Sequence, residues 1–264
     1  MGSDIHPGDR LTPAAQGVAV LFVVSAYTLS RGALARLEAA ALASVPGAVR
    51  LIRLEETGPD LLTTLDQMRA EGHRRIRVQP FGFPFPESLL AWLPGVLAHW
   101  RARGNTDTEV SLGPDPGRDA AALQAFATVA LAGEARPVEG TRPSLGKPGW
   151  TLPPDFDFHL LVCTGPRCAI HGAAAFLQML KAELAAAGLT ERCLITRTGC
   201  IYPCNKGPVL TLYPQGGWYR LPDLAATRRF VREVLAGGGV AEELKFHTSG
   251  APRATHPPQQ EKTS

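Results

Sequence analysis

The sequence lacks long apolar segments of the kind found in membrane spans and secretory signals. Its longest apolar run, residues 17–26, is far too short to span a bilayer. The first ten residues, MGSDIHPGDR, are polar and lack the apolar segment of a secretory signal. We therefore expect no membrane association.

An excess of charge of one sign is also missing. The chain has 27 Lys and Arg residues against 24 Asp and Glu residues, which gives a formal net charge of +3. Nucleic-acid binders usually carry a strong basic field, and this balance supplies none. We expect no nucleic-acid partner.

Cysteine is scarce, and its number is odd. Five cysteines in a chain without a signal argue against a structural disulfide framework. The reducing cytoplasm is the simplest setting for such a chain. There, clustered cysteines usually indicate metal or redox chemistry.

The first half of the chain alternates strands with helices. Residues 18–25 (VAVLFVVS) form a continuous apolar run, which is typical of a strand buried on both faces. Further strands are predicted at residues 49–54, 75–80 and 109–112, and helices with apolar faces follow each of them, the last at residues 120–131. The alternation predicts a parallel α/β domain over residues 16–132, after a flexible N-terminus at residues 1–15.

The composition changes after this domain. Residues 133–156 contain five prolines and several glycines without apolar periodicity, which predicts a linker. A second α/β domain is predicted over residues 157–247. Its strands are expected at residues 159–163, 193–198, 209–213 and 218–221, and its last helix at residues 223–236. The polar, Pro-rich residues 248–264 predict a disordered tail.

Four of the cysteines form two closely spaced pairs, Cys163 with Cys168 and Cys200 with Cys204, each at a predicted strand end. Four soft thiolates select zinc or an iron-sulfur cluster, and the spacing alone leaves both open. The loop glycines favour a cluster, because they let backbone N–H groups approach sulfur. We expect such contacts from Gly165, Gly199 and Gly207.

Two segments carry a family resemblance. CTGPRCAIHGA (residues 163–173) and TGCIYPCNKGPVLTLYPQGGWY (residues 198–219) resemble the thioredoxin-like [2Fe-2S] ferredoxins and the related small subunit of respiratory complex I. The resemblance covers about ninety residues. It implies a thioredoxin-like fold, one [2Fe-2S] cluster with two of the four paired cysteines on each iron, a redox partner protein and a homodimer.

Two residues near the motif depart from it or stand outside it. His171 takes the place where the family has Arg before the glycine. This changes the local charge but is not expected to prevent ligation. Cys193 opens a predicted strand, and we interpret it as a buried small hydrophobe rather than a ligand.

The first half resembles, more weakly, the CbiX-type sirohydrochlorin cobaltochelatases, which insert a metal into a tetrapyrrole. The resemblance rests on VLFVVSAYTLSRGAL (residues 20–34), on residues 51–84 and on SLGPDPGRD (residues 111–119). Glu55 matches the family's acidic position. Ala26 and Ser88 stand where the family has its metal-binding histidines, and neither can replace imidazole as ligand and proton acceptor.

A degenerate tetrapyrrole pocket is the expected remnant of that site. The sequence places it at the carboxyl ends of the strands, where such sheets bind ligands. Its candidate residues are Ala26, Tyr27, Glu55, Phe83 and Ser88. Whether the Phe-rich loop at residues 81–85 lines an apolar ligand or packs against the rest of the chain stays open. Arg74, Arg75 and Arg77 are interpreted as a solvated basic face rather than as contacts for acidic substrate groups.

These observations favour an electron carrier, a ferredoxin domain fused to a degenerate chelatase-like domain that binds a tetrapyrrole or serves as a scaffold. The alternative is a sirohydrochlorin cobalto- or ferrochelatase of cobalamin or siroheme synthesis with an accessory iron-sulfur domain. A third hypothesis is a cluster-based sensor without turnover. The intact cysteine motif and the missing histidines support the first over the second.

Overall fold

The computed structural model describes residues 17–25, 29–55, 59–135, 138, 140, 149 and 151–250. The chain divides into two compact units, Met1–Arg142 and Pro143–Ser264. The boundary lies inside the range predicted as a linker. The predicted N-terminal segment at residues 1–15 and most of the predicted tail lie outside the described residues.

The first unit contains a parallel sheet with helices between its strands. Its strands are β1 (Ala19–Val24), β2 (Val49–Arg53), β3 (Arg75–Pro80) and β4 (Glu109–Leu112). Its helices are α1 (Arg31–Ser44), α2 (Leu61–Ala70), α3 (Glu87–Ala102) and α4 (Ala120–Ala132). The strand order is β2-β1-β3-β4, and all pairings are parallel. The predicted α/β class is confirmed for this unit.

Helices α1, α2 and α4 of the first unit begin at side chains that accept hydrogen bonds from free backbone N–H groups, whereas α3 has no side-chain cap. Asp60 accepts hydrogen bonds from the N–H groups of Leu62 (2.8 Å) and Thr63 (3.1 Å) at the start of α2. Trp100 of α3 is fully buried, and its indole N–H donates to Asp66 of α2 at 2.7 Å. This bond satisfies the only polar atom of the largest core side chain.

The two faces of β3 differ in polarity. Ile76 and Val78 are buried, whereas Arg75 is exposed and Arg77 and Gln79 are half-buried. Successive strand residues point to opposite faces, so one face of the sheet carries a polar row along β3. Helix α4 keeps apolar side chains on the surface, and Phe126 is 58% exposed.

The second unit contains a mixed sheet. Its strands are β5 (Phe158–Cys163), β6 (Cys193–Thr198), β7 (Val209–Tyr213), β8 (Gly217–Arg220) and β9 (Lys245–Thr248). Its helices are α5 (Pro166–Ala169), α6 (Ala173–Ala186) and α7 (Leu224–Arg229), and a π-helical segment at Phe230–Ala236 continues α7. The order is β6-β5-β7-β8-β9, in which β5 and β6 are parallel and the other pairings antiparallel.

The second unit has a large hydrophobic core and a smaller cluster around Cys163 and Cys168. Leu160 of β5, Phe176 and Leu180 of α6, and Phe230 are each at most 1% exposed. Strand β9 was not predicted from the sequence. It pairs with β8 at the sheet edge and extends to Thr248, one residue into the range predicted as a tail.

None of the helices in the described part of the chain is both long enough and apolar enough to traverse a membrane.

Candidate metal centre

Two neighbouring parallel strands bring the four paired cysteines together. Cys163 is the last residue of β5, and it lies in register with Thr198, the last residue of β6. The carboxyl ends of parallel neighbours meet at one edge of the sheet. The loops that follow both strands therefore leave from the same place.

The first loop turns directly back toward the sheet. Gly165 precedes the single-turn helix α5, and its carbonyl oxygen accepts from the N–H of Ala169 at 2.9 Å. This turn places Cys168 next to Cys163, and the two side chains are hydrogen-bonded. Both cysteines are only 2% exposed.

The second loop is tighter and lies closer to solvent. Tyr202 adopts a φ of 61°, an unusual angle for a residue with a side chain, and Cys204 begins a 3-10 turn that ends at Lys206. The sulfur atoms of Cys200 and Cys204 are 3.2 Å apart. Cys200 is exposed and Cys204 half-buried, so the second pair forms the outer side of the site.

The two loops contact each other around the sulfur atoms. The thiol of Cys163 donates to the carbonyl oxygen of Gly199 at 3.1 Å. A Cβ atom placed on Gly207 would lie 3.1 Å from the sulfur of Cys168 and 3.0 Å from Cδ2 of His171. Gly207 is buried, and its lack of a side chain leaves room for Cys168.

The inner pair is electrostatically asymmetric. The hydrogen bond from the Cys168 thiol lowers the pKa of Cys163 to about 6, and backbone N–H groups of Gly165 and Ile201 act in the same direction. The same bond and burial raise the pKa of Cys168, so the first proton leaves from Cys163. Metal binding requires the thiolate, and the fold stabilises one thiolate in advance.

Cys204 of the outer pair lacks this stabilisation. Burial, followed by the hydrogen bond that the Cys204 thiol makes to Cys200, raises the pKa of Cys204 to about 11, and only the charge of Arg167 opposes the shift. A bound cation would have to displace this proton.

The glycines that were predicted to approach sulfur act in three different ways. Gly165 provides an N–H group as predicted, Gly199 provides its carbonyl oxygen, and Gly207 provides space. The other N–H groups come from Ile201 and Val209, which the sequence reasoning missed. Both follow a cysteine or proline in the motif, but nothing in their residue type indicates a backbone role.

The donor set consists of two separate pairs of thiols. Among the described residues, no three His, Cys, Asp or Glu side chains converge on a point that could hold one metal ion. A dinuclear cluster takes two thiolates at each iron. The arrangement in pairs fits a [2Fe-2S] cluster.

Cys193 lies away from these loops, at the opposite end of β6. It is 9% exposed and belongs to the hydrophobic core of the second unit. Burial raises the pKa of its thiol. A protonated thiol in an apolar core acts as a small hydrophobic side chain.

The predicted tetrapyrrole pocket is brought together only in part. Ala26 and Tyr27 lie outside the described residues. Glu55 is 1% exposed at the carboxyl end of β2, where Ser25 donates a hydrogen bond to its side chain. Phe83 lies on the loop after β3, and Ser88 is exposed on the first turn of α3.

No family model matches this chain. It is 36% identical over 80 residues to a provisionally named 2Fe-2S ferredoxin of Priestia megaterium, over 30% of this chain and 62% of that protein. It is 31% identical over 98 residues to a 2Fe-2S ferredoxin of Aquifex aeolicus, over 33% of this chain and 86% of the relative. The chain thus spans less than two thirds of the first of these relatives.

Two solved structures are also similar. A thioredoxin-like [2Fe-2S] ferredoxin from Aquifex aeolicus matches with 30% identity and a TM-score of 0.33, over 37% of this chain and 96% of that one. A provisionally named cobalamin biosynthesis CbiX protein from Marinobacter aquaeolei matches the N-terminal part with 16% identity and a TM-score of 0.37, over 43% of this chain and 94% of that one.

Proposed function

Because the chain belongs, over about a third of its length, to the thioredoxin-like 2Fe-2S ferredoxins, we propose that it is a one-electron carrier with one [2Fe-2S] cluster. Cys163, Cys168, Cys200 and Cys204 are the proposed ligands. The observation that carries the proposal is the meeting of the two cysteine pairs at the adjacent carboxyl ends of β5 and β6. When bound, such a cluster takes up and releases one electron at a time.

The chain contributes a fixed and partly shielded thiolate set. The inner cysteines are buried, and the N–H groups of Gly165, Ile201 and Val209 point at their sulfur atoms. Hydrogen bonds to sulfur stabilise negative charge and help to set the potential of a cluster. These N–H groups favour the reduced, more negative state.

The outer side of the site is the proposed contact for a redox partner protein. Cys200 is exposed, and Tyr202 beside it is 74% exposed. An aromatic ring next to a solvent-accessible ligand gives a partner an apolar contact close to the redox centre. Electrons would pass on this side, because the inner cysteines are covered by protein.

We propose that the first unit is a chelatase-like module that does not insert metal. Its parallel sheet places Glu55 and Ser25 at the carboxyl ends of β2 and β1, where such sheets bind ligands. A buried carboxylate is the one feature that favours chelation, the second candidate function. Ala26 and Ser88 cannot serve as metal ligands or proton acceptors in place of imidazole, which favours tetrapyrrole binding without turnover.

The test is a spectrum of the anaerobically purified full chain before and after dithionite, with iron and acid-labile sulfide assays. We expect about two irons and two sulfides per chain and an EPR signal that appears on reduction. A colourless protein that holds zinc after anaerobic reconstitution would overturn the electron-carrier proposal. Sirohydrochlorin and Co²⁺ added to the same preparation test the second candidate function, for which metal insertion above the rate without protein is the supporting result.

A further inference from the structure

A cavity in the first unit lies apart from Glu55 and from the cysteines. Its volume is about 310 Å³, within the lower range of small-molecule sites. It opens on the face of the sheet from which β1 and β3 project Val20, Phe22, Arg77 and Gln79. Its lining residues are Val20, Phe22, Val45, Arg77, Gln79, Pro80, Phe81, Phe83 and Pro116.

Aromatic rings form much of the apolar wall. The rings of Phe22 and Phe81 are in tilted contact, with centroids 5.1 Å apart. Phe83, which is 38% exposed, stacks on Phe126 of α4 at 5.5 Å. The wall therefore offers ring faces to a flat apolar group.

Arg77 is the one charged residue of the lining. It is half-buried, and it lies in register with Val20 on the neighbouring strand. Its Nε and Nη2 atoms both donate to Oε1 of Gln79, at 3.1 and 2.7 Å. This bond fixes the plane of the guanidinium but leaves its charge uncompensated, because the Gln79 side chain is neutral.

Gln79 is itself held in place. Its Nε2 atom donates to the carbonyl oxygens of Pro80 (3.0 Å) and Pro114 (2.8 Å). A Cβ atom on Gly113 would lie 1.9 Å from Oε1 of Gln79 and 3.0 Å from Nε of Arg77. Only glycine at position 113 leaves room for the Gln79 side chain in this position. The glycine therefore permits the hydrogen bonds that orient Arg77.

No acidic side chain among the described residues forms an ion pair with Arg77. The nearest carboxylate along the chain after β4, Asp115, accepts from the N–H of Gly117 at 2.9 Å and pairs with Arg118 at 3.9 Å. A partly buried, oriented and uncompensated guanidinium favours an anion, and its remaining N–H groups suit a carboxylate.

We propose that this cavity binds a small amphipathic carboxylate, with its flat apolar body against Phe22, Phe81 and Phe83 and its carboxylate on Arg77. The cavity shares Phe83 with the predicted tetrapyrrole pocket, but its lining contains Arg77 and does not contain Glu55. It does not depend on the iron-sulfur proposal, because its residues all belong to the first unit.

The test uses two probes of nearly the same size and shape, the anion naphthalene-2-carboxylate and its neutral analogue 2-naphthamide. Calorimetric titration of the full chain with its native metal content gives both dissociation constants. We expect the carboxylate to bind roughly tenfold to a hundredfold more tightly than the amide, as for a hydrogen bond to a charged group. Equal affinities, or binding of neither probe, would overturn the proposal without bearing on the cluster.

Two variants test the residue assignment. Arg77→Gln is expected to remove the preference for the carboxylate and to leave the affinity for the amide within about twofold. Arg75→Gln is the matched control, because Arg75 lies on the same strand and face but is exposed and outside the lining. It should retain the preference. Loss of the preference in Arg75→Gln alone would reject the assignment, and circular dichroism would verify that both variants are folded.

Discussion

The sulfur atom of Cys163 lies 3.1 Å from the carbonyl oxygen of Gly199, the residue directly before Cys200. The contact joins the loop after β5 to the loop after β6 at the point where both enter the proposed site. While Cys163 is protonated, this hydrogen bond holds the inner cysteine pair next to the loop of the outer pair.

Replacing any one of the four paired cysteines by alanine should lower the bound iron, because each removes one of two thiolates from an iron. Cys200→Ala is the most informative variant, since Cys200 is exposed and its removal leaves the core intact. Iron and sulfide per chain are the quantities to measure. Cys193→Ala is the control and should keep the iron content of the natural chain. A similar loss of iron in Cys193→Ala would contradict the assignment.

Gly207→Ala tests the space beside Cys168. Its φ of −52° suits alanine, so strain in the backbone is not the cause of the expected effect. The new Cβ atom would lie 3.1 Å from the Cys168 sulfur, and overpacking of this kind costs about 1–3 kcal/mol. We expect a lower iron content and faster loss of visible absorbance in air. Gly95→Ala, where a Cβ atom meets nothing within 4 Å, should leave both unchanged.

The fold class was predictable because apolar periodicity is strong in both units. The run at residues 18–25 became the buried strand β1, and the alternation of strands and helices became the parallel sheet. The predicted strand at residues 193–198 coincides with β6. These elements are buried on one or both faces, and the spacing of apolar residues in the sequence indicates that burial directly.

Features that depend on tertiary contacts were not predictable. Strand β9 is a four-residue edge strand with the sequence KFHT, too short and too polar for a periodic signal. It forms because β8 offers a free edge. Next to it, the N–H of Ser249 donates a hydrogen bond to the carbonyl oxygen of Gly216, and the Ser249 hydroxyl accepts one from the indole N–H of Trp218. The role of Gln79 was not predictable either, because a single Gln in a strand does not indicate that its side chain accepts hydrogen bonds from Arg77.

The ion pair between Glu183 of α6 and Arg228 of α7 predicts a pH dependence of stability. Arg228 donates to both carboxylate oxygens, at 3.0 and 2.9 Å, and lowers the pKa of Glu183 below its ordinary value of about 4.3. The pair therefore stabilises the fold fully above about pH 4.3 and loses its contribution as the pH falls through the lower folded pKa.

Thermal melts of the natural chain and Glu183→Gln between about pH 7 and about pH 3 would measure this contribution. The difference in melting temperature should be constant at neutral pH and shrink toward zero in acid. Glu191→Gln, at an exposed position on the turn before β6, is the control. A difference that grows in acid would contradict the assigned direction.

Leu160→Ala should destabilise the second unit. Leu160 is fully buried in β5, the strand that ends at Cys163, and its truncation leaves a cavity. Such changes cost about 2–5 kcal/mol. Amide hydrogen exchange of the β5 and β7 residues measures the loss. Val240→Ala, at a position 54% exposed, should cost less than about 0.5 kcal/mol.

The unequal burial of the two cysteine pairs also determines which cysteines are oxidised first during storage. Oxidants reach exposed thiols first, whereas Cys163 and Cys168 are each only 2% exposed. In a preparation without iron, oxidative damage would therefore start at Cys200, before oxidants reach the buried inner pair. A stored sample would lose proposed ligands of the outer pair by oxidation and still retain its fold. A circular dichroism spectrum of folded protein is therefore no guarantee that the cluster can be reconstituted.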